Sequence, residues 1–420
     1  GNETKQDVDI QYLAGGYRTP NGICLGEDQV VCMTDNQGIF NPSNKFIRVT
    51  PGSFYGHYLI KKDTTNIAAY QPEYVDSVVG GSEHQTPATV YLPQQSVARS
   101  PSAPMMLRNL QGANSVYNGQ FLVGDVTLGR LNRVFMEEVE GVWQGAVFLH
   151  SYGHDEAGKT GFTAGPNRLI EGPDHHYYLG HIGAGGLWEF KGDKPKPWYG
   201  LQRLSFKKEK EIPSDFNEIV AVRDMEGGLE LEFYQPVHKS WVTKDLIKAE
   251  QWTYIPTQGY GGRSMGTEKL KVKSIKISQN GKRVQLFMDG IRSNVAPFID
   301  MKLKGHTYSN KNVGWVIHVE LDTPKLWSNK FWYTMNKHKG SESSAPISKI
   351  SGELNSKDLA KSIHKSVCIA CHSTDGTKIL GPSFKGLFGK TQTVIRDGQE
   401  IQVKVDEAYL NRALTKPLYE

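Results

Sequence analysis

The sequence is poor in cysteine, has no long apolar run and carries little charge imbalance, and each shortage removes a class of protein. Only four of 420 residues are cysteine, and the spacing C-x-x-C occurs once. A zinc site built from two such pairs is therefore excluded. No apolar stretch is long enough to span a bilayer, so no transmembrane segment is expected. The net charge is +5, with Lys and Arg scattered among Asp and Glu, which reads as a solvated surface and leaves no nucleic-acid footprint.

What remains is globular, with 38% hydrophobic and 22% charged residues, and long enough for two or three domains that each bury a core. The 44 glycines favour a turn-rich, mostly β chain. The single C-x-x-C belongs to Cys368-Ile369-Ala370-Cys371-His372, and C-x-x-C-H is the attachment site of a c-type haem. Two thiols bond the porphyrin's vinyl groups, and the adjacent imidazole, His372, is fixed beneath the iron. A redox C-x-x-C pair would not need the His.

The residues around this motif resemble a class I cytochrome c. Ser356 can cap a short helix in which Leu359, Ile363 and Val367 form one apolar stripe. Gly381-Pro382-Ser383-Phe384-Lys385-Gly386-Leu387-Phe388-Gly389 matches the family's G-P-x-F-x-G-L-x-G, and residues 403–410 match its V-x-V-x-x-x-Y-L. The resemblance implies that the carbonyl of Pro382 orients His372 and that Phe384, Leu387 and Phe388 wall the haem. None of the nine Met residues follows His372, so the distal ligand is expected beyond Glu420 or the sixth position is open. A chain cut short of its natural end is the expectation.

From Gly15 to about Tyr199, short alternating runs are separated by Gly, Asn, Asp and Pro clusters. Hairpins are expected at 23–34, 120–136 and 167–180, and their recurrence suggests propeller blades. Here the chain resembles the pyrroloquinoline-quinone (PQQ) sugar and sorbosone dehydrogenases, with six-bladed β-propellers. The matching stretches are Gly16-Tyr17-Arg18-Thr19-Pro20-Asn21-Gly22, Thr34-Asp35-Asn36-Gln37-Gly38 and Pro51-Gly52-Ser53-Phe54-Tyr55-Gly56-His57. With Arg168, residues 183–188 and 198–204, the likeness extends to large haem-bearing members of that group. It implies that Arg18 contacts the quinone and that Gln37-Gly38 forms a calcium loop. Calcium then polarises the quinone, Arg18 steadies its developing charge, and a His base takes the proton of a sugar or alcohol.

That base lies in the family before the arginine motif, yet no His occurs among the 17 residues preceding Arg18. About four blades fit the available length, so two blades and the base are expected on a missing N-terminal portion or lost. His57, His150, His154, His175 and His176 read as surface or turn residues. Asp125, Arg130 and Arg133 are candidates for a channel or for a structural ion pair. Covalent haem implies export, hence a periplasmic, cell-surface or secreted protein with a downstream electron acceptor. The chain starts at Gly1 with neither a Met nor a leader, so cleavage or a longer precursor is expected.

Cys24 and Cys32 flank Gly26-Glu27-Asp28-Gln29 on a hairpin, opposite each other if the loop has three residues. Free thiols are favoured over a disulfide. Between 207 and 336, alternating runs and the Asn280-Gly281 turn read as an immunoglobulin- or fibronectin-like sandwich. Its Trp252, Tyr254, Tyr260, Trp315, Trp327 and Trp332 suit core packing or a saccharide platform. The expected order is a partial propeller (1–204), a β-sandwich (205–337), a linker (338–355) and a small all-α cytochrome c domain (356–420). A catalytic fusion has as its alternative a non-catalytic carbohydrate-binding or scaffold protein with a relay haem.

Overall fold

The computed structural model describes residues 11–38, 41–57, 85–94, 96–151, 162, 164–182, 200–206, 209–212, 214, 216–254, 261, 264–301, 325–326, 330–340, 373–377, 383–396 and 399–410. The chain divides into two compact units, Gly1–Ile350 and Ser351–Glu420. Both are described by strands far more than by helices. No helix among the described residues is long and apolar enough to cross a membrane.

The first unit opens with β1 (Ile23–Leu25), β2 (Val31–Asp35), β3 (Asn44–Arg48) and β4 (Val90–Leu92), which pair as an antiparallel meander in sequence order. β5 (Pro101–Met106), β6 (Phe121–Asp125), β7 (Arg130–Val139) and β8 (Val142–Ser151) repeat that order. β9 (Gly165–Glu171), β10 (Tyr177–Ile182) and β11 (Gly200–Leu204) form a third, three-stranded sheet. The three hairpins expected at 23–34, 120–136 and 167–180 are all present. Local turn chemistry makes each of them: at the last, Gly172 N–H donates to His176 O at 2.8 Å, and His175 takes the positive φ of 58°.

β6 is buried on both faces. Phe121 and Val123 share a core with Phe46, Val90 and Leu92 of the first meander. Leu122, which points the other way, shares one with Leu169, Tyr177 and Leu179 of the third sheet. Each such side chain contributes about 1.5–3 kcal/mol by leaving water. Three layers therefore enclose this part of the unit.

Later strands extend the middle layer. β12 (Phe216–Asn217) pairs in parallel with β19 (Lys325–Leu326). β13 (Ile219–Met225), β14 (Gly228–Phe233), β15 (Ile247–Tyr254), β16 (Ser264–Ile277), β17 (Arg283–Asp289), β18 (Ala296–Met301) and β20 (Lys330–Thr334) join β8 through β20. The order is β13-β14-β17-β16-β15-β18-β20-β8-β7-β6-β5. Phe331 of β20 lies opposite Phe148 of β8, so strands from both sides of position 204 share one hydrogen-bonded sheet. The Asn280-Gly281 turn joins β16 to β17 as expected: Gly281 has φ +69° and Asn280 Oδ1 accepts the Lys282 N–H at 3.1 Å.

In the second unit, β21 (Thr391–Arg396) and β22 (Gln399–Lys404) form an antiparallel hairpin. The expectation of an all-helical module does not hold for these residues. The runs T-Q-T-V-I-R and Q-E-I-Q-V-K are rich in β-branched residues, and Asp397-Gly398, a pair favouring tight turns, separates them in sequence. Residues 407–410 are helical. Asp406 caps them, accepting the Tyr409 N–H on Oδ1 at 2.8 Å.

Candidate functional site

The arginine motif, residues 16–22, leads into β1 and is held at both ends. Asp35, fully buried at the end of β2, accepts the Arg18 N–H at 3.0 and 3.1 Å and the Thr19 N–H at 2.7 Å. Asn41 Nδ2 donates to the same carboxylate at 3.1 Å. A carboxylate out of water needs such donors, and here it finds them mainly in the backbone of the loop it anchors. At the other end Arg168 of β9 donates from Nη1 to Asn21 Oδ1 at 2.8 Å, and Asn21 Nδ2 donates to Asn167 Oδ1 at 3.1 Å. Tyr17 stacks on Tyr55 at 5.2 Å. Burial, with the Tyr55 ring and the Asp35 charge, raises the Tyr17 hydroxyl well above its usual range.

Arg18 and the Gln37–Gly38 loop come together. The half-buried Arg18 side chain lies so close to Gly38 that a Cβ there would sit 2.5 Å from Arg18 Cδ. Gly261, at φ +70°, meets the Gln37 side chain and donates its N–H to Gly38 O at 3.0 Å. The Gln37 N–H donates to Asn44 Oδ1 at 3.0 Å. Behind them Lys45, 3% exposed, donates from Nζ to Tyr55 O at 2.5 Å. Burial lowers its pKa to about 8, with the Asp35 carboxylate opposing the shift. Nothing in the run Asn44-Lys45-Phe46-Ile47-Arg48 marks the lysine as buried. Asp35 was legible as part of a motif but not as an anchor.

The expected calcium loop can be tested on its oxygens. Gly38 O already accepts two N–H groups, from Asn41 at 3.2 Å and Gly261 at 3.0 Å. Asp35 spends both oxygens on the donors above. Among the described residues of this stretch, the buried side-chain oxygens without a hydrogen-bond partner are Asn36 Oδ1, Asn41 Oδ1 and Ser43 Oγ, three neutral groups where calcium takes 6–8 oxygens. Among the described residues no group of three or more His, Cys, Asp or Glu converges on a metal position. These residues do not fit calcium at Gly38. Arg18 belongs to the motif and Arg168 grips it through Asn21.

The other residues singled out in the sequence are structural. Asp125 is fully buried and accepts backbone N–H groups from Arg99, Ser100, Thr127 and Leu128, which closes the β6–β7 turn. Arg130 reaches Ser96 O at 3.1 Å. Arg133, fully buried, pairs with Glu218 at 3.3 Å and donates to Gln120 Oε1, Val220 O and Ile219 O. Its guanidinium also lies over Phe148 at 4.3 Å. No channel residue emerges from this set, and the ion-pair reading of Arg133 holds.

His175 is exposed beside Glu171, His176 bonds Ser205 Oγ at 3.0 Å, and the His57 N–H donates to Gly16 O. His150 is held down to about 3 by burial and the nearby Arg133. Trp252, Tyr254 and Trp332 are core residues. Tyr260, Trp315, Trp327 and His154 lie outside the described residues, as do Ser356, Cys368, Cys371, His372 and Pro382.

In the second unit, Ser373 O accepts from Phe384 N–H at 2.8 Å and from Ser383 Oγ at 3.1 Å. Phe384 and Leu387 are half-buried and joined by a Leu387 N–H to Phe384 O bond of 3.2 Å, while Phe388 is 67% exposed. Val405 exchanges backbone bonds with Gly389 and Lys390, both at 2.7 Å. The two stretches that resemble cytochrome c, 381–389 and 403–410, thus pack together where they are described.

No family model matches the chain, and no curated protein does. A solved structure from Thermus thermophilus, described as an inferred oxidoreductase (glucose dehydrogenase), is similar to it at 15% identity and a TM-score of 0.29. That match covers 46% of this chain and 47% of the other, about half of each.

Proposed function

We propose that the chain is an exported oxidoreductase whose electrons leave through a haem c bonded to Cys368 and Cys371 and ligated by His372. One observation carries this reading. Ser373, next in sequence to His372, is hydrogen-bonded to Ser383 and Phe384, which follow Pro382. The proximal-His and Pro segments of a cytochrome c need that neighbourhood. A haem supplies a one-electron couple to a downstream acceptor in the periplasm, on the cell surface or outside the cell.

The reducing equivalents come, in this proposal, from a sugar or alcohol oxidised on a PQQ-type propeller. The sequential meanders β1–β4 and β5–β8 support the blade reading. A quinone bound there would accept hydride. Arg18 and Arg168 would hold its carboxylates, and Asp35 would keep the Arg18 backbone in place. No step is assigned to calcium.

A second reading, a non-catalytic carbohydrate-binding or scaffold protein with a relay haem, is favoured by the internal use of Gly38 O and of both Asp35 oxygens. The two separate in one experiment. Full-length holoprotein is incubated with PQQ, then with aldoses and primary alcohols, and the haem absorption is followed. Reduction by at least one of them, weakened in Arg18→Gln, is expected. Reduction by dithionite alone would leave the relay reading, and absence of any haem band would overturn both.

A further inference from the structure

Cys24 and Cys32 are free thiols on neighbouring strands. The hairpin between them has the three-residue loop Glu27–Gln29, closed by a Gly26 N–H to Val30 O bond of 2.8 Å. Asp28 and Gln29 adopt positive φ values of 56° and 60°, which lets so short a loop turn without glycine at its centre. This loop sets the register. Cys24 falls directly opposite Cys32, with Ile23 opposite Met33 and Leu25 opposite Val31.

Hydrogen-bonded and non-hydrogen-bonded positions alternate along an antiparallel ladder. Gly26 and Val30 occupy a hydrogen-bonded position, so Cys24 and Cys32, two residues further on, occupy the next. Opposed Cα atoms at such a position are about 5.5 Å apart. That is the middle of the range a disulfide bridges, roughly 4.4–6.8 Å. Opposed side chains also leave the same face of the sheet. Here that face is the core shared with Phe46 and Phe121, in which Cys32 is buried and against which Cys24 packs.

A route to the sulfurs exists. Cys24 is only half-buried. Cys32 lines a cavity of about 360 Å³ whose wall also includes Gly26, Glu27, Arg48, Trp143 and Glu137. Burial raises both thiols, Cys24 to about 12 and Cys32 to about 11, while Arg108 and Arg48 respectively pull them back. Both are therefore protonated at neutral pH, and their reactivity is low unless a disulfide donor is presented to them.

We propose that Cys24 and Cys32 are a cross-strand disulfide site, closed by a disulfide-bearing donor such as a dithiol oxidoreductase or oxidised glutathione. In the first step the thiol of Cys24, the less buried of the two residues, loses its proton and attacks a donor sulfur. A mixed disulfide forms and one donor thiol leaves. Cys32 then loses its proton and attacks the Cys24 sulfur, forming the intramolecular bond and releasing the second donor thiol. Two protein thiols are oxidised by two electrons in all, and one donor disulfide is reduced to two thiols. The bond would fasten β1, the outer strand of its sheet, whose Ile23 and Leu25 are exposed, to β2, which carries Asp35. The site is independent of the haem and of any substrate.

The test uses the folded full-length protein, incubated with oxidised glutathione at mildly alkaline pH. It is then denatured, alkylated and digested without reductant. A peptide pair linked through Cys24 and Cys32 is expected, with alkylation at both positions falling by at least tenfold relative to untreated protein. Cys24→Ser should leave Cys32 alkylated or singly glutathionylated. Full alkylation of both cysteines in the treated wild-type protein, or a glutathione on each without a link, would overturn the proposal. A reduced and unfolded sample oxidised in parallel confirms that the donor is active.

Discussion

Two arginines of the first unit each meet a buried carboxylate, and the comparison shows how burial of the cation separates a structural role from a candidate binding role. Arg133 is sealed: its guanidinium pairs with Glu218, donates to Gln120 and to two backbone carbonyls, and lies over the Phe148 ring. Arg18 is half-buried, and Asp35 holds its backbone N–H. In the first case the carboxylate neutralises a charge that has left water. In the second it fixes a loop through the Arg18 and Thr19 N–H groups, in a motif gripped by Arg168. Arg18 stands in a Gly- and Pro-punctuated motif and Arg133 in an alternating strand, and neither pattern says which of the two is sealed from water.

The largest expected effect breaks the sealed pair. Arg133→Met leaves Glu218 uncompensated in the core and should cost about 3–5 kcal/mol in urea unfolding. The double variant Arg133→Met with Glu218→Leu should recover most of that loss, because it removes both charges together. Asp35→Ala, at the other site, strips the Arg18 and Thr19 N–H groups of their acceptor and should cost about 2 kcal/mol. Its mark is local, seen as faster proteolysis or amide exchange at residues 16–22 with the sheet core still protected.

A pH titration sharpens the comparison further. His150 sits near Arg133 with its folded pKa depressed to about 3, so it is neutral in the folded protein and protonates on unfolding below about 6.5. The unfolded state thus binds more protons in that interval, and this contribution to stability is full above about 6.5 and declines as the pH falls toward 3. Urea midpoints should show about 1–2 kcal/mol lost between pH 7 and pH 5. His150→Phe should reduce that slope. At the small end, His175→Ala removes an exposed contact with Glu171 and should change stability by less than about 0.5 kcal/mol in the same urea assay.

Hairpins were legible because a turn is a local event. Asn280-Gly281 and the Asp125 turn announce themselves within a few residues and form as read, and the hairpin at Cys24–Cys32 forms with its loop length, left open by the sequence, fixed at three residues. The pairing of β20 with β8 was not legible, since it joins Phe331 to Phe148 over a long stretch of intervening chain and nothing in an alternating run names its partner strand. Strands on both sides of position 204 therefore share a sheet that the change in pattern there did not suggest. The hairpin of the second unit was missed for a different reason. The resemblance to a helical module outweighed the β-branched alternation of residues 391–404, which was there to be read. At the candidate site Arg18, Gln37 and Gly38 were legible as motif residues and do meet. The use of Gly38 O by Gly261 was not, because the donor lies more than 200 residues away.

The proposed covalent haem of the C-terminal unit is tested most directly by the mass of the chain. Protein exported by a host competent in c-type cytochrome maturation is denatured, stripped with acidified organic solvent and weighed intact. The expected result is a mass greater than the polypeptide by one haem, lost in the double variant Cys368→Ser, Cys371→Ser and localised to the peptide containing Cys368 and Cys371. A chain at its bare polypeptide mass, with Cys368 and Cys371 both open to alkylation, would contradict it.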